Sequence, residues 1–204
     1  MRPKVFDIDP ANASLTGLRS NATGVDFALT ATTSGDSLAH QVSIRNDSAT
    51  DHSAKTLVLV GTSPDGKAQT ETINAPGTSA TVESSGYYLT LTSVTPSATI
   101  GADTFDIGWV DEVATQTIPI DAKSTAACTI ATDITGTINF TVLETYNDIQ
   151  DGETAQWIAI TALSGKTADT TASASVGARA IRLVINSYTD TAEIQMAISQ
   201  PVGK

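Results

Sequence analysis

Residues 191–198 read Thr191-Ala192-Glu193-Ile194-Gln195-Met196-Ala197-Ile198. Successive side chains of an extended chain point to opposite faces. Ala192, Ile194, Met196 and Ile198 therefore share one side, and Glu193 and Gln195 take the other. A helical period would scatter that apolar set, whereas strict alternation over this length is the mark of a half-buried strand. A slip of one residue would turn all four apolar side chains to water, so the register is well specified.

The same period recurs upstream. Ile181, Leu183 and Ile185 alternate with Arg182, Val184 and Asn186, and Ile138, Phe140 and Val142 alternate with Asn139, Thr141 and Leu143. Phe105, Ile107 and Trp109 share a face in Thr104-Phe105-Asp106-Ile107-Gly108-Trp109. Between the runs Lys55–Val60 and Ala68–Ile73 stands Ser63-Pro64-Asp65-Gly66, whose Pro and Gly suit a type I turn closed by a bulge. Thr33–Asp36, Asn46–Ser48, Ala75–Gly77 and Asp151-Gly152 are further turn clusters. No segment carries an apolar stripe at helical spacing, although Ile149–Trp157 leaves room for a short helical turn.

Strands at this spacing predict an all-β chain of two antiparallel β-sandwiches in tandem, immunoglobulin-like or jelly-roll-type. The first covers residues 1–112 and carries an extended N-terminal arm, Met1–Pro10. The second covers 113–204, with Val110-Asp111-Glu112-Val113 as the junction. Each half is expected to end in a hairpin: Tyr87–Ser93 with Phe105–Trp109, and Ala180–Asn186 with Ile194–Ile198.

Composition narrows the function. The 204 residues carry 22 acids against 11 Lys and Arg, a net charge of −11. That field repels a phosphate backbone or an anionic membrane surface, so neither nucleic acid nor membrane is an expected partner. Roughly one residue in six is Thr, which suits strands and turns. Charged residues make up only 16%. No apolar run is long enough for a transmembrane helix or a signal-peptide core, which suggests folding in a reducing cytoplasm.

No motif assigns a catalytic, cofactor-binding or metal-binding residue, and the chain is not expected to be an enzyme. Gly165-Lys166-Thr167 resembles the tail of a phosphate-binding loop, but the position that needs the first glycine holds Ile160. The two histidines, His40 on a strand and His52 in the polar loop Asp47–His52, lack a Gly-x-Ser-x-Gly partner. The single cysteine, Cys128, sits in an apolar run and reads as a small buried hydrophobe. Two His and one Cys do not make a structural zinc site. Asp7 and Asp9, or Asp148, Asp151 and Glu153, offer oxygen ligands without an EF-hand spacing. Of the aromatics that could stack on a sugar (Trp109, Trp157, Tyr87, Tyr88, Tyr146 and Tyr188), both tryptophans are expected in the core. The Asn-x-Ser/Thr triplets at Asn12, Asn21, Asn46 and Asn139 are what chance supplies in a Thr-rich chain.

Gly136-Thr137-Ile138-Asn139-Phe140-Thr141-Val142, Asn147-Asp148, Trp157, Arg179–Ser187 and Thr191–Ile194 together resemble small β-sandwich virion proteins of tailed bacteriophages. Those proteins have a Gly-Thr-x-x-aromatic strand, an acidic turn, a Trp and a near-terminal Ala-Ile-Arg-Leu strand. The resemblance covers roughly residues 114–200. The first half is similar only in texture to Thr-rich immunoglobulin-like modules of phage structural proteins. The resemblance implies a virion structural protein, assembled in the host cytoplasm. A capsid decoration (cement) protein is the leading expectation; a tail, collar or fibre part, or a carbohydrate-binding or adhesion module, is the alternative. It implies the major capsid protein or other virion proteins as partners and a homo-oligomer on the particle, with no catalytic residues and no cofactor. The arm Met1–Pro10 and the last hairpin of the second half, Ala180–Asn186 with Ile194–Ile198, are the expected contact surfaces, and such an arm is often ordered only on its partner.

Overall fold

A computed structural model describes residues 3–25, 27–149 and 155–200. The described residues form strands β1 (Lys4–Ile8), β2 (Ser14–Thr23), β3 (Ala39–Asn46), β4 (Thr56–Thr62), β5 (Ala68–Asn74), β6 (Thr81–Tyr88), β7 (Thr90–Pro96), β8 (Thr104–Ala114), β9 (Ile118–Pro119), β10 (Thr129–Thr135), β11 (Ile138–Thr145), β12 (Ile158–Ala159), β13 (Thr170–Ser173), β14 (Ala180–Tyr188) and β15 (Glu193–Ser199). Among these residues the one helical element is a 3₁₀ turn, Thr161–Leu163. The fold is an all-β, antiparallel β-sandwich architecture, as the alternation predicts. The helical turn suggested for 149–157 lies mostly outside the described residues.

The chain divides into two compact units, Ala11–Val113 and Met1–Pro10 with Ala114–Lys204. This corrects the expected partition in one respect: the arm placed with residues 1–112 belongs to the other unit. The reason is β1, which pairs antiparallel with β15 from Lys4↔Ile198 to Ile8↔Ile194. The unit Ala11–Val113 is therefore inserted between the first strand of its companion and the rest. The segment Val110–Val113, read as a junction, ends where the unit boundary falls, between Val113 and Ala114, and lies within the 11-residue strand β8.

In the unit Ala11–Val113, β6, β3 and β8 form one sheet with β2 on β8, and β5, β4 and β7 form the other. Val42, Ile44, Leu57, Leu59, Leu91, Phe105 and Ile107 fill the space between them, all at most 2% exposed. Phe27 meets Phe105 edge to face, with ring centroids 5.8 Å apart. The β4–β5 hairpin forms as predicted: the Gly66 N–H donates to Ser63 O at 2.9 Å and Gly66 has φ +72°, the bulge conformation that favours glycine. Asn46 holds its own turn, its amide donating to Thr50 O and Gly77 O and its oxygen accepting from the Ser48 N–H.

In the other unit, β1, β15, β10 and β13 form a four-stranded sheet, and β12, β11 and β14 form a second with β9 beside β14. Ile130, Phe140, Val142, Leu163, Ile181, Leu183, Ile185 and Met196 are fully buried there. Ala192, Ile194, Met196 and Ile198 are all at most 2% exposed, while Glu193 and Gln195 face solvent.

The closing hairpins expected in both halves do not form. β14 and β15 lie in different sheets, and so do β7 and β8. The run Tyr87–Ser93 is two strands broken at Leu89, where the chain leaves β6 for the sheet of β7. A side-chain period of two shows which residues face inward but not which sheet a strand joins, and in a sandwich both sheets present the same inward face.

Candidate functional site

Both histidines are buried, at 3% exposure each, and each meets an acid. The turn Ser34-Gly35-Asp36 delivers Asp36 to the start of β3, where His40 Nε2 lies 2.8 Å from Asp36 Oδ2. His40 Nδ1 lies 3.1 Å from the Val110 carbonyl oxygen, so the ring stands between two acceptors. Asp36 also accepts from the Ala11 and Leu38 N–H groups and from the Ser34 hydroxyl. Burial alone would raise its pKa, but the hydrogen bonds from His40, Ala11, Ser34 and Leu38 outweigh that and hold the carboxyl well below the usual carboxylate range.

His52, at the end of the polar loop Asp47–His52, is buried and set edge-on against Phe105, with centroids 5.4 Å apart. Lys55 Nζ lies 2.7 Å from its Nδ1, and its Nε2 lies 2.9 Å from Asp103 Oδ2. The ammonium thus donates to the ring and the ring donates to the carboxylate. Hydrogen bonds from Thr50 and His52 lower the Asp103 pKa. Among the described residues no serine hydroxyl and no thiol bonds to either imidazole. Ser34 is hydrogen-bonded to the acid of its pair and not to the base, which is the wrong order for base-assisted nucleophilic attack.

The remaining candidates fall into place singly. Cys128 is 1% exposed, and burial pushes its thiol pKa up, away from the reactive thiolate. Lys166 exchanges both backbone hydrogen bonds with Phe140, so Gly165-Lys166-Thr167 is a turn returning to β11. Asp148 pairs with Arg179. Asp151 and Glu153 lie outside the described residues. Asp7 and Asp9 line an open hollow with Asp133 and Glu193. Among the described residues no group of three or more His, Cys, Asp or Glu side chains is arranged to hold a metal ion.

The tryptophans correct an expectation. Trp109 and Trp157 are half-buried, not core residues. Trp109 packs on the core of the Ala11–Val113 unit and donates from Nε1 to Asn12 O at 2.9 Å. Trp157 leads into the short strand β12, where the neighbouring Ile158 is 54% exposed. The Arg182 guanidinium sits 4.4 Å from the Trp157 ring centroid, a cation–π contact. Asn186 donates to Asn139 Oδ1 and Thr141 Oγ1 between the adjacent strands β14 and β11. Of the tyrosines, Tyr88 and Tyr188 are buried and Tyr146 is 46% exposed.

Of the segments expected to make contacts, the arm lies beside β15, one half of the expected last hairpin, while β14, the other half, belongs to a different sheet. β1 is an outer strand of its sheet and β15 is its neighbour. Gln195 Nε2 donates to Asp7 Oδ1 at 2.7 Å across the pair. Of the β1 side chains, Ile8 is buried and Phe6 half-buried, while Lys4, Val5 and Asp7 are exposed. The partner of β1 lies some 190 residues away along the chain, and nothing local in the sequence points to it. No protein-family model matches this chain, and a search of curated proteins returns no match.

Proposed function

We propose that this chain is a structural component of a tailed-phage virion, a capsid decoration protein that binds and stabilises the head lattice. The observation that carries the reading is the outer position of β1 beside β15, which puts the arm and the last strand of the second half on one sheet. An outer strand has one row of backbone donors and acceptors open to a further strand. Repetition over a lattice then makes weak single contacts strong together. The histidines, with every ring nitrogen engaged within the fold, and the buried thiol suit a role in assembly more than one in chemistry.

Quantifying the chain against the major capsid protein in purified particles tests this. A decoration protein is present at near the copy number of the capsid subunit and binds empty heads. A few to some dozens of copies would make it a tail, collar or fibre part, and absence from particles would end the reading.

A second reading, a glycan-binding module, draws on the half-exposed Trp157 beside Arg182 and the Asn139–Asn186–Thr141 cluster. Sugar-dependent quenching of tryptophan fluorescence, lost in Trp157→Phe, would support it.

A further inference from the structure

We propose that β1 is an exchangeable strand, and that in the assembled protein Lys4–Ile8 of one copy pairs with Glu193–Ser199 of a neighbouring copy. The inference deepens the assembly reading and rests on it for its purpose, since exchange links copies that are already side by side. Two independent observations carry it.

The first is how β1 is held. Among the described residues it is an outer strand attached through backbone pairing to β15 and one side-chain bond, Gln195 to Asp7, with Ile8 its one buried side chain and Phe6 half-buried. An element held this way is drawn from the least stable end of a fold and opens before the core does. Because every copy carries the same β15, a strand that leaves its own β15 regains the same contacts on another, and the exchanged pairing costs little beyond its hinge.

The second is the root of the arm. The Ala11 N–H donates to Asp36 Oδ2 at 2.7 Å, and Asn12 O accepts from Trp109 Nε1 at 2.9 Å. Asp36 is fixed in turn by His40, Ser34 and Leu38. The chain is pinned at Ala11–Asn12, which leaves only Asp9-Pro10 between the pin and the strand. Pro10 has a fixed φ, so the link is both short and stiff. Short hinge loops invite exchange, because few conformations of so short a link return a terminal strand to its own copy. The strand is loosely held while its root is firmly anchored, which is the arrangement exchange requires.

The test uses the register pair Val5↔Ala197. Two variants of the full chain, Val5→Cys and Ala197→Cys, each with Cys128→Ala, are mixed, refolded together over a range of concentrations and oxidised. Val5 is 54% exposed, which makes it tolerant of substitution. A disulfide between position 5 of one chain and 197 of another forms only if the strand has crossed. The expected result is that heterodimer, identified by peptide mapping, in a fraction that rises with concentration. The exposed pair Asp7→Cys and Gln195→Cys repeats the measurement at a second position. The proposal is overturned if neither mixture yields the crossed disulfide at any concentration, while the double variant Val5→Cys/Ala197→Cys closes within single chains. No capsid is present, so failure here leaves the decoration reading standing, and failure of the copy-number measurement leaves this result standing.

Discussion

Asp36 Oδ2 receives both His40 Nε2 at 2.8 Å and the backbone N–H of Ala11 at 2.7 Å, so one carboxylate oxygen joins β3 to the point where the chain enters its unit. The side chains of Asp36 and His40 are 7% and 3% exposed. Removing the acid leaves a buried imidazole and a backbone donor without their partner. Asp36→Ala is expected to lower stability by about 3 kcal/mol, measured by urea unfolding. A loss below about 0.5 kcal/mol would mean that the network is ornamental.

The same carboxyl makes the effect depend on pH. Its folded pKa lies below the ordinary value of 3.8, so its contribution is complete above about pH 4 and drains away as pH falls through the folded value. The stability gap between the native chain and Asp36→Asn is expected to be full at pH 7 and to narrow below pH 4. A gap that widens on acidification would reverse the sign and refute the assignment.

Glycines at two positions are expected to respond for opposite reasons. A Cβ on Gly108 would stand 1.7 Å from Ser14 O, a backbone atom, because β2 crosses β8 closely there. Gly108→Ala is expected to cost about 3 kcal/mol or more, since the backbone must shift to accept it. Gly66 has open space around it, and only its φ of +72° resists a side chain. Gly66→Ala is expected to cost about 1–2 kcal/mol. Thermal unfolding of the pair separates close approach from backbone conformation.

Cys128, at 1% exposure and with its thiol pKa raised by burial, is expected to resist a thiol reagent in the folded chain. Labelling in native buffer should run at least about a hundredfold slower than in denaturant, because the reagent must wait for opening. Equal rates would place the sulfur at the surface.

Arg182 shields Trp157 and also donates to Thr117 Oγ1 at 2.8 Å. Arg182→Ala is expected to red-shift tryptophan emission, raise its quenching by acrylamide, and cost about 1 kcal/mol. The same substitution in a Trp157→Phe background should leave emission unchanged, which assigns the signal to Trp157 over Trp109.

Much of this fold was legible residue by residue. The alternations at Ile181–Ile185, Ile138–Val142 and Ala192–Ile198 name the inward faces correctly, because a half-buried strand must sort apolar from polar with a period of two. Pro64 and Gly66 announce the β4–β5 hairpin because each has its own backbone reason to be there. Connections between sheets were not legible. β14 and β15 look like hairpin arms because their spacing fits, and nothing in side-chain chemistry distinguishes a turn within a sheet from an arch between sheets. The tryptophans misled for a related reason: Trp157 heads the apolar run Ile158-Ala159-Ile160, but β12 is an outer strand where such a run stays half-solvated. The acid partners of the histidines left little trace. Asp36 lies four residues before His40, but Asp103 lies 51 residues after His52.

The discontinuous unit sets a schedule for the ribosome. Ala11–Val113 is contiguous and has all its strands as soon as it emerges, but Asp7 must wait for Gln195, 188 residues later. At about 5–20 residues per second, that is roughly 10 to 40 s during which the leading strand has no mate on its own nascent chain.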